Sequence, residues 1–473
     1  MVNRRPWLQL TAVLVALLLA VGVVACGSNS STSDPDGTDD TGTAETSPPK
    51  PCPVDALDDV SDTAPPEAIT TWAPFAGDEL VAFNQLVSSY NASQKKVVVT
   101  VQPITSDPIA QRQLYQESLA AGTLPALTAV DSSLTQFMVD NQHVVDASAC
   151  LKAAGMETAG ELPVARSAYT VDGKQWAVSA NLVTPLLYFR RGAFIAAGLD
   201  PDKPPTSLDQ LHDVAQAMQA KGVAAKPVAL QLDSLLIENW LTGAGLNLVN
   251  HGNGRDERAD TGEIDKPKVV ALFEWIRTMT DEGLLELLPP TPAGPVPAPA
   301  TTLQTAALTI SPSTAIGDFA PTALGAAPDL DVAALPGIES AGHGQVGGAA
   351  WYLTRDLSPT QTAAGWDFAR FLNSVPSQVT WNLVGSYPPF NPRAVDDPGL
   401  VDAWSASRRG PWLDTAYTQV TNLDPAGPGP LIGPYPDVRA AIDRAIQAVV
   451  TGTLEPATAV SGANDAITNA LTH

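Results

Sequence analysis

The chain has 473 residues, of which 44% are hydrophobic, and its formal net charge at pH 7 is −24. This length is enough for two or three ordinary domains, and the apolar content allows well-filled cores. Because nucleic acid and anionic lipid both favour Lys and Arg, the acidic balance argues against either of them as a partner.

The first 25 residues have the order of a secretory signal. Arg4 and Arg5 are followed by an apolar stretch from residue 7 to residue 24, and small residues then lead to Cys26. Charge, apolar run and small residues in this order predict export. Because the run is near the short end of a membrane span, which takes about 20 apolar residues, an uncleaved anchor remains the alternative.

The segment after the signal is rich in Ser, Thr, Asp and Pro up to about Glu67 and has almost no large apolar side chain. Such a segment cannot bury enough apolar surface to offset its ordering entropy. We therefore expect residues 26–67 to form a disordered tether that holds the folded part away from the membrane.

Two cysteines, Cys52 and Cys150, remain besides Cys26. An exported chain enters an oxidising compartment, where a disulfide between them would link the end of the tether to the first lobe. Two unpaired buried thiols are the alternative, because spacing alone does not decide between the two states.

Strands and helices alternate at the start of the folded region. β-branched and apolar runs predict strands at residues 69–72, 97–101 and 126–130. Between them, one helix is expected to begin with Asp78 as its cap, and a second is expected to end at Gly122. This alternation predicts a parallel sheet covered by helices.

The alternation continues along the rest of the chain. Residues 186–189 predict a strand, followed by a short helix that ends at Gly198. Ser207 and Gln210 form a capping box for a helix that ends at Gly222. Further strands are expected at 307–311 and 346–353, helices from 267, from 359, over 436–450 and over 455–471, and a surface loop at 289–300.

No motif of a catalytic or metal centre stands out in the sequence. The five histidines lack zinc spacing, and the chain has no Walker loop, nucleophile elbow or dinucleotide fingerprint. Residues 252–256, Gly-Asn-Gly-Arg-Asp, lack the full acidic pattern of a calcium loop and predict a solvated turn. We expect no catalytic residue, metal or cofactor, although counting carboxylates leaves an exported glycan-active enzyme as an alternative.

Several segments, in order, resemble the bacterial extracellular solute-binding proteins of carbohydrate ABC importers. The strongest resemblance runs from Leu187 to Pro201 and ends in Ala-Gly-Leu-Asp-Pro, with Pro204-Pro205-Thr206 after it. The others are Gly-Gly-Ala-Ala-Trp at 347–351, the helix at 366–373, Gly-Ser-Tyr-Pro-Pro at 385–389 and Gly-Pro-Tyr-Pro-Asp-Val-Arg at 433–439. Cys26 also resembles the lipobox cysteine of bacterial lipoproteins, which is lipidated once the signal is cut.

The resemblance implies an α/β chain with the two-lobed periplasmic-binding-protein fold of class II, in which a ligand cleft lies between hinged lobes. The N-terminal lobe would comprise residues 68–182 plus 313–373, and the C-terminal lobe residues 183–312 plus 374–473. Closure on the ligand would create the surface that an ABC permease reads.

The resemblance also implies a place and a task. The chain would be a monomer anchored to the outer face of the cell membrane by lipid on Cys26. It would deliver a sugar or polyol to permease subunits and would need no cofactor.

The branch of the family that looks nearest binds glycerol 3-phosphate or glycerophosphodiesters, but the match is partial. Val183 stands where that branch has a ligand-contacting hydroxyl, and Ser132 and Ser386 replace a glutamate and an aromatic residue. Gly348 and Arg439 do match. A sugar or polyol is therefore the first expectation for the ligand, and a glycerol phosphate is the alternative.

Ten residues are candidates for ligand contact. Sugar hydroxyls need planar donors and acceptors, and the C–H faces of the ring need flat aromatic surface. The aromatic candidates are Trp72, Trp240, Tyr387 and Tyr435. The candidates at the carboxyl ends of strands are Asp131, Ser132, Thr184 and Ser313, and Gly348 and Arg439 complete the set.

Most candidates have a structural alternative. Trp72, Trp240 and Tyr387 could belong to the core, and Asp131 could cap the turn that begins at Ser133. Gly348 could allow close approach to a neighbouring strand instead of a ligand. Arg439, at a helix start, suits an anion or a polyol, but a structural ion pair is the alternative.

Overall fold

The computed structural model describes residues 52–61, 63–289, 299–319, 329–342 and 344–472. The strands of this part are β1 Glu67–Ala73, β2 Val97–Pro103, β3 Leu127–Asp131, β4 Thr170–Val171, β5 Lys174–Gln175, β6 Val178–Ser179, β7 Pro185–Arg190, β8 Val228–Leu230, β9 Leu285–Leu287, β10 Leu308–Pro312, β11 Leu330–Ala334 and β12 Ala349–Leu353. The α-helices are Gly77–Ser93, Pro108–Ala121, Thr135–Asp140, Ala147–Ala153, Pro163–Ala168, Arg191–Ala197, Leu208–Ala220, Ser234–Gly243, Pro267–Asp281, Pro299–Thr302, Pro359–Leu372, Val375–Gly385, Pro398–Ala406, Gly410–Thr421, Tyr435–Val450 and Pro456–Leu471. Short 3₁₀ helices lie at Ser132–Leu134, Ser313–Phe319 and Pro392–Asp396.

The first sheet has the strand order β2-β1-β3-β12-β6. β1 pairs in parallel with β2 and β3, as the alternation of strands and helices predicts. β12 returns antiparallel between β3 and β6, so the sheet is mixed. We call the part of the chain packed on this sheet the first lobe.

The second sheet has the order β11-β7-β10-β8-β9. β7 lies antiparallel between β10 and β11, and β8 is parallel to both β10 and β9. The helices Leu208–Ala220, Pro267–Asp281 and Tyr435–Val450 contribute buried side chains to its core. We call this part of the chain the second lobe.

A cluster of aromatic rings fills the core of the first lobe. Phe83 stacks against Trp351 and Trp381, with ring centres 5.3 Å and 6.1 Å apart. Phe75 contacts Trp381 edge-on, with the ring centres 5.2 Å apart. Such pairs add to the free energy gained by burying their large apolar area. The cluster joins helix Gly77–Ser93 to β12 and to helix Val375–Gly385.

The expected disulfide between Cys52 and Cys150 is present. Both cysteines are buried in the first lobe, and the turns around Cys52 pack on it through the partly buried Val54 and Leu57. The predicted disordered tether of residues 26–67 is therefore too long, because the residues described from Cys52 onward are held on the lobe. Cys26 and the signal lie outside the described residues.

Several local predictions are confirmed, and two caps differ. Gly122 and Gly198 end their helices in the left-handed conformation, at φ 66° and 78°. Asp78 lies inside the first turn of helix Gly77–Ser93 and is not its cap. Ser207 accepts from the Gln210 amide at 3.2 Å, but the Gln210 side chain bonds Thr206 instead of closing the box.

The lobe boundaries differ from the predicted ones in two places. β11 pairs with β7, so the chain after residue 313 stays with the second sheet and returns to the first only just before β12. Helix Val375–Gly385 packs in the first lobe through Trp381, so that lobe continues past residue 373. Both differences arise from long-range pairing that local periodicity does not encode.

Part of the predicted surface loop at 289–300 lies outside the described residues, and helix Pro299–Thr302 follows it. Across the described ranges no helix is both long and apolar enough to cross a membrane.

Candidate functional site

A small cavity, partly open to solvent, lies between residues of the two lobes. The first lobe supplies the turn after β3 and the end of helix Pro163–Ala168, and the second lobe supplies Arg255 and Tyr435. The lining residues are Ser132, Ser133, Ala168, Arg255, Gln345, Val346, Pro428, Gly429, Pro430 and Tyr435. Two of the ten predicted site residues, Ser132 and Tyr435, thus line it directly.

The carboxyl end of β3 presents two serines to the cavity because Asp131 caps the turn. The Asp131 carboxylate accepts from the Ser133 amide at 2.9 Å and from its hydroxyl at 2.5 Å. The Ser132 amide donates to the Gly348 carbonyl oxygen at 2.9 Å. Capping was the structural alternative for Asp131, and it is the role that the carboxylate has here.

Arg439 forms a buried ion pair with Glu238. Its Nε and Nη2 donate to the two Glu238 oxygens, each at 2.9 Å, and the Glu238 side chain has no exposed surface. Glu238 also accepts from the Tyr435 hydroxyl and the Gln345 amide nitrogen, each at 3.0 Å. A bidentate pair with two further donors satisfies the buried carboxylate. The structural alternative for Arg439 is therefore present.

The electrostatics of this cluster follow from the pairing. Burial alone would lower the pKa of Arg439, but the Glu238 carboxylate, with smaller help from Tyr435 and Asp131, holds it well above its ordinary value. The pKa of Tyr435 is raised, first by burial and then by Glu238. The guanidinium of Arg439 also lies 4.4 Å from the centre of the Tyr435 ring. Arg439 thus stays charged, and its charge is neutralised within the protein.

The loop at residues 428–431 forms one wall of the cavity and packs closely against Gln345. Gly429 has φ 95°, and a Cβ there would lie 2.5 Å from the Gln345 side-chain oxygen. Only glycine adopts this backbone and leaves room for that side chain. The loop backbone therefore forms part of the cavity wall.

Arg255 also lines the cavity, and no sequence pattern predicted it. Its Nε donates to the Gly429 carbonyl oxygen at 2.6 Å, and its Nη1 donates to the Ser167 carbonyl oxygen at 3.0 Å. Residues 252–256 were expected to form a solvated turn, and they do turn, but the arginine points inward. The signal was the Asn-His-Gly-Asn-Gly run before it, since these residue types favour left-handed backbone.

Thr184 and Ser313 lie at adjacent ends of the antiparallel strands β7 and β10 and bond to each other. The Ser313 amide donates to the Thr184 carbonyl oxygen at 2.8 Å, and both residues are fully buried. Gln419 donates to the Thr184 hydroxyl at 2.5 Å and to the Pro185 carbonyl oxygen at 2.6 Å. The structure therefore brings these two predicted residues together at the strand ends of the second sheet and not in the cavity wall.

Three predicted aromatic contacts pack in cores. Trp72 lies in a buried cluster of the first lobe, and Trp240 donates from its indole to the Pro336 carbonyl oxygen at 2.9 Å. The ring of Tyr387 contacts that of Trp381 edge-on, with the two ring centres 5.2 Å apart. Tyr387 also forms a hydrogen bond with Glu79, and burial raises the pKa of the Glu79 carboxyl. None of the three lines the cavity described above.

Gly348 allows two strand ends to approach closely. It has φ 119°, and a Cβ there would lie 2.6 Å from the Asn181 carbonyl oxygen. The Asn181 side chain accepts from the Ala349 amide at 2.8 Å. This agrees with the alternative in which the glycine accommodates a neighbouring segment. No cluster of His, Cys, Asp and Glu suited to a metal occurs in the part of the chain that the structure describes.

Comparison with known proteins adds sequence and fold relationships. The family described as "Bacterial extracellular solute-binding protein" matches residues 85–407. The sn-glycerol-3-phosphate-binding periplasmic protein UgpB of Pectobacterium atrosepticum is 23% identical over 416 residues, which cover 84% of this chain and 89% of that protein. The protein of the same name from Escherichia coli K12 is 24% identical over 424 residues, with 84% and 91% covered.

Similar solved structures include a sugar-binding protein and a UgpB. The sugar-binding protein MalE from Xanthomonas citri has a TM-score of 0.70 and 17% identity, with 86% of this chain and 97% of that chain covered. UgpB from Mycobacterium tuberculosis, solved in complex with glycerophosphocholine, has a TM-score of 0.69 and 16% identity, with 86% and 98% covered. The α/β two-lobed fold expected from the sequence is thereby confirmed.

Proposed function

Since this chain belongs to the bacterial extracellular solute-binding protein family, we propose that it binds a sugar or polyol in the cavity between its lobes and delivers it to an ABC importer. The observation that carries the proposal is the composition of the cavity wall. Ser132, Ser133, Gln345 and Tyr435 line it from both lobes. Convergent polar groups beside an aromatic ring suit a polyhydroxylated ligand.

Contacts across the cleft support a closing mechanism. Arg255 bonds Ser167 of the first lobe, and Arg258 forms an ion pair with Asp140. A ligand held by groups of both lobes favours the arrangement in which those groups are close, because it makes fewer contacts when they separate. A permease would then distinguish loaded from empty protein by the relative position of the lobes.

The proposal includes the location of the protein. The N-terminal order of charge, apolar run and Cys26 supports export and attachment through lipid on that cysteine. The segment between Cys26 and Cys52 would keep the folded part free to meet the permease. The protein would act as a monomer without a cofactor and would not alter its ligand chemically.

A second candidate ligand is a glycerol phosphate or a glycerophosphodiester. The curated relatives that match over most of the chain are named for sn-glycerol 3-phosphate, which supports this candidate. Against it, Glu238 already neutralises Arg439, so that arginine is less available to an anion.

A thermal-shift screen of purified protein that begins at Pro49 tests the proposal. A ligand that binds only the folded state stabilises it by about 2.7 kcal/mol at one hundred times its Kd. We expect at least one neutral sugar, polyol or polyol phosphate to raise the melting temperature in a saturable way. No shift across a broad panel, or steady release of product from a glycan, would refute the proposal.

A further inference from the structure

Arg255 differs from Arg439 in its partners. Arg439 is paired with a carboxylate, whereas Arg255 donates only to the carbonyl oxygens of Gly429 and Ser167. An arginine has five N–H donors, so these two bonds leave three. Within the described residues, Arg255 has no carboxylate partner, and its side chain lines the cavity.

The charge of Arg255 is partly removed from solvent. Burial lowers its pKa to about 10, with Tyr435 as the one charged or titratable neighbour that opposes the shift. The side chain therefore remains protonated at neutral pH. A charge that is partly removed from water is stabilised by an opposite charge, so an anion beside Arg255 would be favoured.

The backbone just before Arg255 is strained. His251, Gly252 and Asn253 all have left-handed φ and ψ, with φ of 54°, 59° and 63°. Left-handed backbone costs about 1–2 kcal/mol for each residue with a Cβ. Strain of this kind persists only where the surroundings impose it, and it concentrates at functional sites.

Surrounding contacts hold this turn in place. The side-chain oxygen of Asn253 accepts from the Leu248 amide at 2.7 Å. The backbone carbonyl oxygen of Asn253 accepts from the Leu431 amide at 2.9 Å. Gly254 packs so closely on the Leu431 carbonyl that a Cβ would overlap it. The turn is thus fixed to the loop at 428–431, and both carry groups that line the cavity.

We propose that Arg255 recognises an oxyanion on the ligand, so that the solute is an acidic sugar or an acidic polyol, with a carboxylate or a phosphate. This inference rests on the function proposed above and narrows its ligand class. Arg255 and Ser132 line the same cavity. A planar guanidinium suits both oxyanions because it can donate two parallel hydrogen bonds.

Calorimetric titration with matched ligand pairs tests the inference. The pairs are D-glucuronate against D-glucose, for a carboxylate, and glycerol 3-phosphate against glycerol, for a phosphate. In at least one pair, the unsubstituted protein should bind the acidic member tenfold or more tightly than the neutral one. Arg255→Gln should remove that preference by weakening the acidic member at least tenfold, and Arg255→Lys should restore part of it.

Arg258→Gln is the matched control, because it removes a positive charge three residues further along the same segment. It should change the affinity for both members of a pair by the same factor, and circular dichroism should show that all variants fold. Equal binding within both pairs by the unsubstituted protein, or a preference that survives in Arg255→Gln, would overturn the inference. Binding of neutral members alone would overturn it while leaving the proposed function intact, and binding of no member would count against both.

Discussion

The two arginines of the cleft show opposite ways to bury a positive charge. Arg439 lies against Glu238, with Tyr435 and Gln345 completing the hydrogen bonds of that carboxylate. Arg255 lies on a strained turn and, among the residues that the structure describes, bonds to two carbonyl oxygens and no carboxylate. The first arrangement is complete without a ligand, whereas the second leaves a positive charge uncompensated.

An arginine near the cleft therefore need not contact the ligand. Arg439 matches the family pattern, yet its donors are used by the protein. Arg255 carries no family signal, yet its charge is available. We therefore expect changes near Arg439 to act mainly on stability and changes at Arg255 to act mainly on ligand choice.

The largest effect is expected where the ion pair is broken. Glu238→Ala leaves the Arg439 charge buried without its partner, so the free energy of unfolding should fall by about 3–5 kcal/mol. Urea unfolding followed by circular dichroism measures the change. A loss below about 1 kcal/mol would mean that Arg439 finds water or another partner, and the contrast between the two arginines would fail.

Arg439→Ala is the reciprocal test of the same pair. From the sequence, a ligand-binding Arg439 would leave the melting point of the unliganded protein nearly unchanged when replaced. The bidentate geometry changes that expectation to a clear fall, because Glu238 would lose its charged partner. An unchanged melting point would return Arg439 to the ligand.

Removal of the disulfide should come next in size. The two cysteines are 98 residues apart, and loss of a native cross-link typically costs about 2–5 kcal/mol. The double variant Cys52→Ser, Cys150→Ser should therefore lose stability in urea. Its preference within the ligand pairs should stay the same, because the bond lies in the first-lobe core. A changed preference would show that stability and ligand choice are coupled.

A pH effect is expected beside the ion pair. Asp233 caps helix Ser234–Gly243, and burial, then Asp443, raises its pKa to about 6, with Arg439 opposing and Glu238 assisting the shift. Because the folded pKa lies above the unfolded value, its stabilising contribution is complete below pH 3.8 and is lost as pH rises through about 6.

Asp233→Asn keeps the cap and removes this titration. Relative to the variant, the unsubstituted protein should gain about 2 kcal/mol between pH 7 and pH 4, at 1.4 kcal/mol for each pKa unit. Urea unfolding at several pH values measures the difference. Parallel profiles would show that Asp233 is ionised as readily in the folded state as in the unfolded chain.

The smallest effect is expected at the exposed ion pair. Arg258 is 72% exposed, so its pairing with Asp140 should be worth less than about 1 kcal/mol. Arg258→Gln should leave the urea midpoint nearly unchanged, and added salt should have little further effect. A loss as large as that of Glu238→Ala would erase the distinction between buried and exposed pairs.

Local signals in the sequence were sufficient for several of the elements. Glycines with left-handed backbone ended the helices at Gly122 and Gly198, and β-branched runs predicted β1 and β2. The order of motifs predicted the two-lobed fold. Lobe boundaries failed where distant segments pair, as β11 does with β7, because no local pattern records such pairing.

The site was harder to predict for the same reason. The partner of Arg439 is 201 residues away, so no spacing rule connects it to Glu238. Trp240 has the flat ring that could stack on a sugar, but helix Ser234–Gly243 places this side chain in the core. Arg255 sits in a polar turn that resembles solvated surface, and only the fold around 428–431 reveals that it is enclosed.

Hydrogen exchange with and without the ligand that gives the largest thermal shift tests the central claim most directly. If the cavity binds the solute between the lobes, protection should rise together in three segments: 131–134 of the first lobe, and 251–256 and 428–435. Protection confined to one lobe, or located away from all three segments, would contradict binding between the lobes and the roles assigned to both arginines.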